Sequence, residues 1–216
     1  MKFRNRHHAG QLLAQQLALC APAPPFLVLA LPRGGVPVAY VVSQMLRAPL
    51  DVLAVRKLGM PQHPDYAIGA IASGGVRVMN PEAAFLNLPT PELEALIARE
   101  QQELQRRERL HRAGRPAPDL VGCSVILVDD GLATGSTMRA AIVSARRQGA
   151  PHITVALPVA ASETADSLRR EVEEVVCVTT PVPLRTIGLW YDDFEPVSDD
   201  AVRTLLASAQ AGAAPS

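Results

Sequence analysis

One stretch of the sequence places two carboxylates directly before a loop of glycines and hydroxyl side chains. Asp129 and Asp130 follow the apolar run 124–128, and residues 131–137 read Gly-Leu-Ala-Thr-Gly-Ser-Thr. Adjacent carboxylates suit the vicinal hydroxyls of a sugar or a hydrated Mg²⁺ ion, but they repel a phosphate. The backbone amides and hydroxyls of 134–137, at a predicted helix start, suit a phosphate instead. Together the two halves predict a site for a ribose 5-phosphate, with or without a metal.

The spacing of this loop excludes two other nucleotide-binding motifs. No lysine follows Gly135, so the loop is not G-x-x-x-x-G-K-[ST], and the chain contains no G-x-G-x-x-G. A helix start that binds nothing would leave two carboxylates at the end of a buried strand unexplained.

A second motif follows the first predicted strand, at the same edge of the sheet. Residues 31–35 read Leu-Pro-Arg-Gly-Gly. A cation followed by two glycines can bring a guanidinium and backbone amides to a second anion, although alone it could be a simple turn. Arg56 and Lys57 end the second predicted strand at that edge, where they would either face an anion or be a solvated strand end. Lys57 is one of two lysines among 21 basic residues.

Over about residues 24–200 the chain resembles the type I phosphoribosyltransferases. The resemblance rests on the strand, the two acids and the Thr-Gly-rich turn. It is closest to uncharacterised bacterial members with a Pro-Arg-Gly-Gly loop and a Val-Arg-Lys-Leu-Gly segment. The family's diphosphate loop often contains a non-proline cis peptide. The resemblance implies transfer of a phosphoribosyl group from phosphoribosyl diphosphate to a nitrogenous acceptor, with Mg²⁺ as the cofactor.

The resemblance also assigns roles to individual residues. Asp129 and Asp130 would hold the ribose hydroxyls, and Mg²⁺ through water or those hydroxyls, and would act in catalysis with Arg33 and Lys57. The 5′-phosphate would be bound by Ala133, Thr134, Gly135, Ser136 and Thr137. The diphosphate would be bound by Arg33, Gly34, Gly35 and Lys57.

A lid and a hood are further parts that the resemblance implies. Residues 59–75 occupy the place of the lid, which excludes water from a cationic ribosyl centre. The hood, which covers the acceptor, would include about 181–200. There Trp190, Tyr191 and Asp192 could stack on a planar base and accept its N–H, or the aromatic rings could simply close a core edge.

The acceptor stays open at this stage. Phosphoribosyltransferases for 6-oxopurines usually carry an aspartate where this chain has Ala133, which argues against hypoxanthine and guanine. Adenine-type enzymes often have alanine there. The alternative to an enzyme is a regulator of the same fold that senses phosphoribosyl diphosphate without turning it over.

The elements that position these motifs alternate between apolar strands and helices, which predicts an α/β fold with a mostly parallel sheet covered by helices on both faces. The predicted strands are 26–31, 50–56, 68–72, 76–79, 124–128, 152–157 and 175–178. One predicted helix lies within 11–20, and a second begins at 37. The other predicted helices are 90–114, 137–149 and 162–171. The segment 59–122 interrupts the alternation as an insertion. We expect a mobile loop over 59–65 and a solvated helix carrying i,i+4 glutamate–arginine pairs.

Length and composition limit the remaining possibilities. The 216 residues predict one domain over 1–206, followed by a disordered tail at 207–216. The balance of 21 basic and 21 acidic residues argues against a nucleic acid or an anionic membrane as partner. The N-terminal segment predicts an amphipathic helix rather than a signal peptide. Three widely spaced cysteines predict neither a disulfide framework nor a zinc site. We therefore expect a cytoplasmic protein, and the resemblance implies a homodimer.

Overall fold

The computed structural model describes residues 2–20, 22, 25–60, 63–80 and 89–211, with only the backbone described for 63–67. Its centre is a five-stranded parallel sheet in the order β2-β1-β6-β7-β8. The strands are β1 (Phe26–Ala30), β2 (Leu50–Val52), β6 (Ser124–Val128), β7 (Ile153–Val159) and β8 (Glu174–Thr179). The predicted α/β fold with a parallel central sheet is confirmed.

Helices cover both faces of this sheet. They are α1 (Arg6–Leu17), α2 (Gly35–Leu46), α4 (Ser136–Arg147), α5 (Ser162–Leu168) and α6 (Asp199–Ala211). Alternate residues of each strand point to opposite faces. In β6, Val125 and Leu127 pack with α4 and α5, whereas Ile126 and Val128 pack with α1, α2 and α6. The continuous apolar runs of the sequence therefore reflect burial on two sides.

The second predicted strand, 50–56, is wrong as a single element. The chain leaves the parallel sheet after Val52 and enters a separate antiparallel sheet of β3 (Val55–Met60), β4 (His63–Ala72) and β5 (Val76–Met79). Ser73 fixes this change of direction, because its amide donates to Ala54 O at 3.0 Å and its hydroxyl accepts from Ala54 N at 3.1 Å. Arg56 and Lys57 consequently belong to β3, not to the edge of the parallel sheet.

The second sheet also contradicts the prediction of a mobile loop over 59–65. The backbone at Gly59–Met60 and from His63 onward is strand, while 61–62 lie outside the described residues. Between β3 and β4 the register is irregular near Gly59. Part of the predicted lid is therefore antiparallel strand.

The helix α3 (Thr90–Arg112) packs across the second sheet and is not merely solvated, as the sequence suggested. Leu96, Ile97 and Leu104 are buried against β3 and β4. The predicted pair Glu103–Arg107 is present at 2.8 Å. Arg112 is buried; its Nη2 donates to Val52 O at 2.6 Å and its Nε to Asp51 Oδ1 at 3.0 Å. This arginine ties the end of α3 to the end of β2.

The tail predicted to be disordered from 207 is helical as far as Ala211, and 212–216 lie outside the described residues. The helix that contains this segment, α6, has an apolar stripe: Val202, Leu206 and Ala209 are buried against α2 and the sheet. Among the described residues, no helix combines the length and the apolar character needed to cross a membrane.

We predict that Arg112→Gln lowers the free energy of unfolding by about 3 kcal/mol, because a half-buried carboxylate loses its charged partner and a buried carbonyl loses its donor. The measurement is urea unfolding followed by circular dichroism. Arg106→Gln, on the same helix with its guanidinium exposed beside Glu103, is the matched control and should leave the midpoint almost unchanged. Equal midpoint shifts in the two variants would contradict this view of how α3 is anchored.

Candidate active site

The two sequence motifs meet at the carboxyl-terminal edge of the parallel sheet. Ala30 and Val128 are register partners in β1 and β6, and Leu31 N donates to Val128 O at 2.8 Å. The loop after β1 and the acids after β6 are therefore neighbours. Ligands of open α/β sheets bind beyond this edge, in the crevice outside the strand ends.

The two glycines of the first loop make this contact close. A Cβ on Gly34 would collide with Asp130 Oδ2, and one on Gly35 would lie 2.6 Å from Val128 O. Both backbone segments thus press against the acidic pair, which only glycine permits. The peptide bond between Pro32 and Arg33 is cis.

The predicted phosphate loop leads into α4. Gly135 adopts φ 81°, a left-handed conformation that favours glycine, and α4 starts at the next residue. Arg139 N donates to the carbonyl oxygen of Gly135, which closes the first turn of α4. The amides of Ser136 and Thr137 come before this bond, at the N-terminal end of the helix.

Neighbouring side chains hold the same loop through its carbonyl groups. Thr164 Oγ1 donates to Ala133 O at 2.7 Å, and Arg139 Nη1 donates to Thr134 O at 3.2 Å. Carbonyl oxygens repel an anion, and here two of them are occupied by donors from α4 and α5. This arrangement is compatible with the anion cradle predicted for 133–137, which stays a prediction.

Arg6 contacts the acidic pair, and sequence reasoning missed it. Its Nε and Nη2 lie 2.9 and 2.8 Å from Asp130 Oδ2, and the side chains are 11% and 12% exposed. The sequence contained only a weak indication that Arg6 is turned toward the interior. Arg6 lies at helical spacing before Gly10, Leu13 and Leu17, so it is a cation on the buried stripe of α1.

The electrostatics of the pair follow from burial. Burial raises the pKa of Asp129 well above its usual range, and the Asp130 carboxylate beside it raises it further. Burial also raises the pKa of Asp130, but Arg6 opposes that effect. Asp129 Oδ1 accepts from Asp130 N at 2.9 Å, which fixes the first carboxylate against its own backbone. Arg6 therefore favours the charged form of Asp130.

The hood is built from residues 2–5 and 187–195. Phe3 N donates to Trp190 O at 2.8 Å, and Asp192 N donates to Phe3 O at 2.9 Å. Tyr191 is 3% exposed, with its ring centroid 5.2 Å from that of Phe3 and 4.9 Å from that of Phe194. The N-terminal segment, which the sequence did not assign to the hood, forms half of it.

Tyr191, predicted to contact the acceptor, is directed into the hood instead of toward open space, so its role stays a prediction. Its ring is enclosed by other aromatic rings, and its hydroxyl donates to Asp130 O at 2.5 Å. Asp192 is exposed and pairs with Lys2 at 3.4 Å. Trp190 is half-buried and lines a cavity of about 380 Å³ with Lys2, Arg185 and Leu189. Roles for Trp190 and Asp192 toward an acceptor stay predictions.

The two cationic side chains that were predicted to bind the diphosphate lie in different surroundings. Arg33 is exposed and close enough to Asp199 to contribute, after the His111 hydrogen bond, to lowering the pKa of that carboxyl. Lys57 is exposed on β3 and lines a cavity of about 660 Å³ beside α3. The contact of Lys57 with a diphosphate therefore stays a prediction, whereas Arg33 stands on the loop beside the acids.

The donor set at the strand end suits a metal only in part. Among the residues described, no three His, Cys, Asp or Glu side chains converge on one point. Asp129 and Asp130 supply two carboxylates, one of them engaged by Arg6. Mg²⁺ commonly takes one or two carboxylates and completes its shell with substrate oxygens and water. The residues fit an ion held jointly with a phosphorylated substrate.

Comparison with known proteins agrees with this geometry. The profile of the phosphoribosyl transferase domain matches residues 4–193. The chain belongs to this family. Relatives from two strains of Mycobacterium tuberculosis, H37Rv and CDC 1551, are provisionally named phosphoribosyl transferases and are 42% identical over 205 residues. The match covers 94% of this chain and 46% of theirs, so the chain spans about half the length of these relatives.

Two solved structures share the fold over nearly the whole chain. TT1426 from Thermus thermophilus is 40% identical, with a TM-score of 0.82 over 96% of this chain and 99% of that one. A hypothetical protein from Neisseria gonorrhoeae, solved with bound ppGpp, is 12% identical, with a TM-score of 0.50 over 96% of this chain and 98% of that one. The second likeness concerns the fold alone.

Gly34→Ala tests the contact between the two motifs. We expect it to lower the free energy of unfolding by about 2 kcal/mol, because the added methyl group collides with the Asp130 carboxylate. In an Asp130→Ala background the colliding atoms are gone, and the same substitution should cost much less. Urea unfolding of the four proteins of this double-mutant cycle gives the coupling. Additive effects would contradict the contact.

Proposed function

We propose that this protein transfers the 5-phosphoribosyl group of phosphoribosyl diphosphate to a nitrogenous acceptor, a nucleobase or related small molecule. The bond between the anomeric carbon and the diphosphate oxygen breaks, and pyrophosphate leaves with the electron pair. A bond from the acceptor nitrogen to the anomeric carbon forms with inversion, and the acceptor loses a proton. The observation that carries the proposal is the convergence of an Arg-Gly-Gly loop, two carboxylates and an anion cradle at one sheet edge.

The proposed donor carries two anionic groups on one sugar, and the site offers two places for anions. The cradle of residues 133–137 would take the 5′-phosphate. The loop at 33–35 would take the diphosphate through Arg33 and the backbone. The acids adjoin both loops, so the ribose would lie between them. Binding energy from the remote phosphate would then align the anomeric carbon for attack.

Asp129 and Asp130 would contact the ribose hydroxyls between the two loops. They would also favour the positive charge that develops on the ribosyl group as pyrophosphate leaves. Mg²⁺, when bound, would neutralise the leaving diphosphate. Arg33, and Lys57 if the lid closes over the site, would add positive charge on the same side. No nucleophilic side chain is required by this division of roles.

The acceptor side of the site carries less chemistry in this chain. Ala133 is exposed at the loop and offers no acid or base to a purine ring, which disfavours 6-oxopurines. Tyr191 is buried in the hood and offers no stacking surface. The half-buried ring of Trp190 is the remaining hood aromatic proposed for an acceptor, beside a cavity with two cationic side chains.

A second candidate function is favoured by the buried Tyr191. A hood whose aromatic rings pack on each other, rather than on a ligand, suits a protein that binds phosphoribosyl diphosphate without an acceptor. Such a protein would sense the diphosphate and pass the signal to a partner. The two candidates share donor binding and differ in turnover.

The deciding experiment is calorimetric titration with phosphoribosyl diphosphate and Mg²⁺, followed by a pyrophosphate-release assay with purines, pyrimidines and pyridine carboxylates. The enzyme proposal expects release that depends on Mg²⁺ and on one acceptor. Tight binding with no release across the panel would favour the sensor. Absence of binding would exclude both.

We predict that Asp130→Asn lowers kcat/KM for pyrophosphate release by about a hundredfold or more, because the neutral amide no longer favours the cationic ribosyl centre. Asp166→Asn is the matched control, since Asp166 lies on the surface of α5 in a pair with Arg169. Its kinetics should equal those of the wild type. Unchanged kinetics in Asp130→Asn would remove this carboxylate from the mechanism.

A further inference from the structure

Four parts of the chain converge on Asp130. Gly34 of the first loop presses on its carboxylate, Tyr191 of the hood donates to its carbonyl, and Asp129 accepts from its amide. Arg6, from the first turn of α1, supplies the fourth contact and lies 124 residues away in sequence. Asp130 itself is 8% exposed. The position of the carboxylate is therefore set largely by Gly34 and Arg6, which do not belong to the acidic motif.

The guanidinium of Arg6 is fixed independently of Asp130. Its Nη1 donates to Glu195 O at 2.8 Å, and its central carbon lies 4.0 Å from the centroid of the Phe194 ring. A charged group stacked on an aromatic face and bonded to a carbonyl is held in one orientation. A side chain that merely plugged the site would need no anchors in the hood. These anchors keep Arg6 in place when a ligand approaches Asp130.

Both contacts of Arg6 with the carboxylate fall on the same oxygen, Oδ2. Two N–H groups on one oxygen fix the rotation of the carboxylate about its Cβ–Cγ bond. A carboxylate whose orientation is fixed in this way is pre-organised to accept a hydroxyl group.

We infer that Arg6 is a positioning residue for the ribose: it orients the Asp130 carboxylate toward a sugar hydroxyl, and it couples that orientation to the hood. This inference rests on the proposed function, because it assigns the ribose to Asp130. Arg6 acts on the sugar through Asp130, whereas the 5′-phosphate is held by the cradle at 133–137. Loss of Arg6 therefore weakens recognition of the sugar more than recognition of the phosphate.

The test compares two probes, ribose 5-phosphate and inorganic phosphate, by calorimetric titration. In Arg6→Gln we expect the Kd for ribose 5-phosphate to rise about tenfold or more, since a charge-assisted contact is lost. The Kd for inorganic phosphate should stay within about twofold. Arg6→Lys should recover part of the loss, because it restores the charge but not the two-pronged geometry.

Arg203→Gln is the matched control. Arg203 is exposed on α6, outside the site, and pairs with Asp200. Both Kd values should equal those of the wild type. Thermal unfolding of every variant sets the titration temperature well below the lowest midpoint, so that loss of folded protein does not enter the comparison.

Equal weakening of both probes in Arg6→Gln would overturn the inference in favour of a general structural role. Tighter binding of ribose 5-phosphate would overturn it in favour of a plug. Either result leaves the proposed function standing, since the wild type still binds the sugar phosphate. A wild type that binds neither ribose 5-phosphate nor phosphoribosyl diphosphate with Mg²⁺ would overturn the proposed function itself.

Discussion

A buried carboxylate beside a buried guanidinium is the interaction around which this protein's candidate site is arranged. Asp130 stands at the end of a strand that is covered on both faces, where an unpaired charge would be costly. Arg6, near the N-terminal end of the domain, supplies the opposite charge. Because the pair must stay together, the N-terminal segment, the hood and the acidic motif form one unit. The chain thus builds its site from both ends of the matched family region.

The parallel sheet brings the other parts of the candidate site, the two loops, to one edge. Strands that run in register deliver their following loops to one edge, so the Arg-Gly-Gly loop and the acids become neighbours through β1–β6 pairing alone. The glycines then allow the two loops to touch. The cradle begins a helix whose other end packs into the core, and its carbonyls are held by α4 and α5. Rigid elements therefore carry both candidate anion sites.

The insertion shows where sequence patterns stop being informative. The prolines and the glycine of 59–65 predicted a loop, but the described residues of this segment are strand, because an antiparallel partner with irregular register can accommodate Gly59. Charge pairs predicted a solvated helix, but α3 also buries an apolar face and its last arginine. Likewise, the hood aromatics suggested a ligand contact, whereas the Tyr191 ring packs within the hood. Arg112 contacts β2 and Tyr191 contacts Phe3, and these partners are distant in sequence, so local spacing carried no trace of them.

The sequence by itself determined the alternation of strands and helices, the parallel sheet and the family, together with the acids and loops at 129–137 and 31–35 that we propose form the donor site. These features are local, since an apolar run, a turn residue or a motif is complete within about fifteen residues. Only the tertiary structure decided that Arg6 faces Asp130, that the N-terminal segment completes the hood and that Lys57 lies on a second sheet. Those contacts join residues far apart along the chain, and burial, not spacing, selects them.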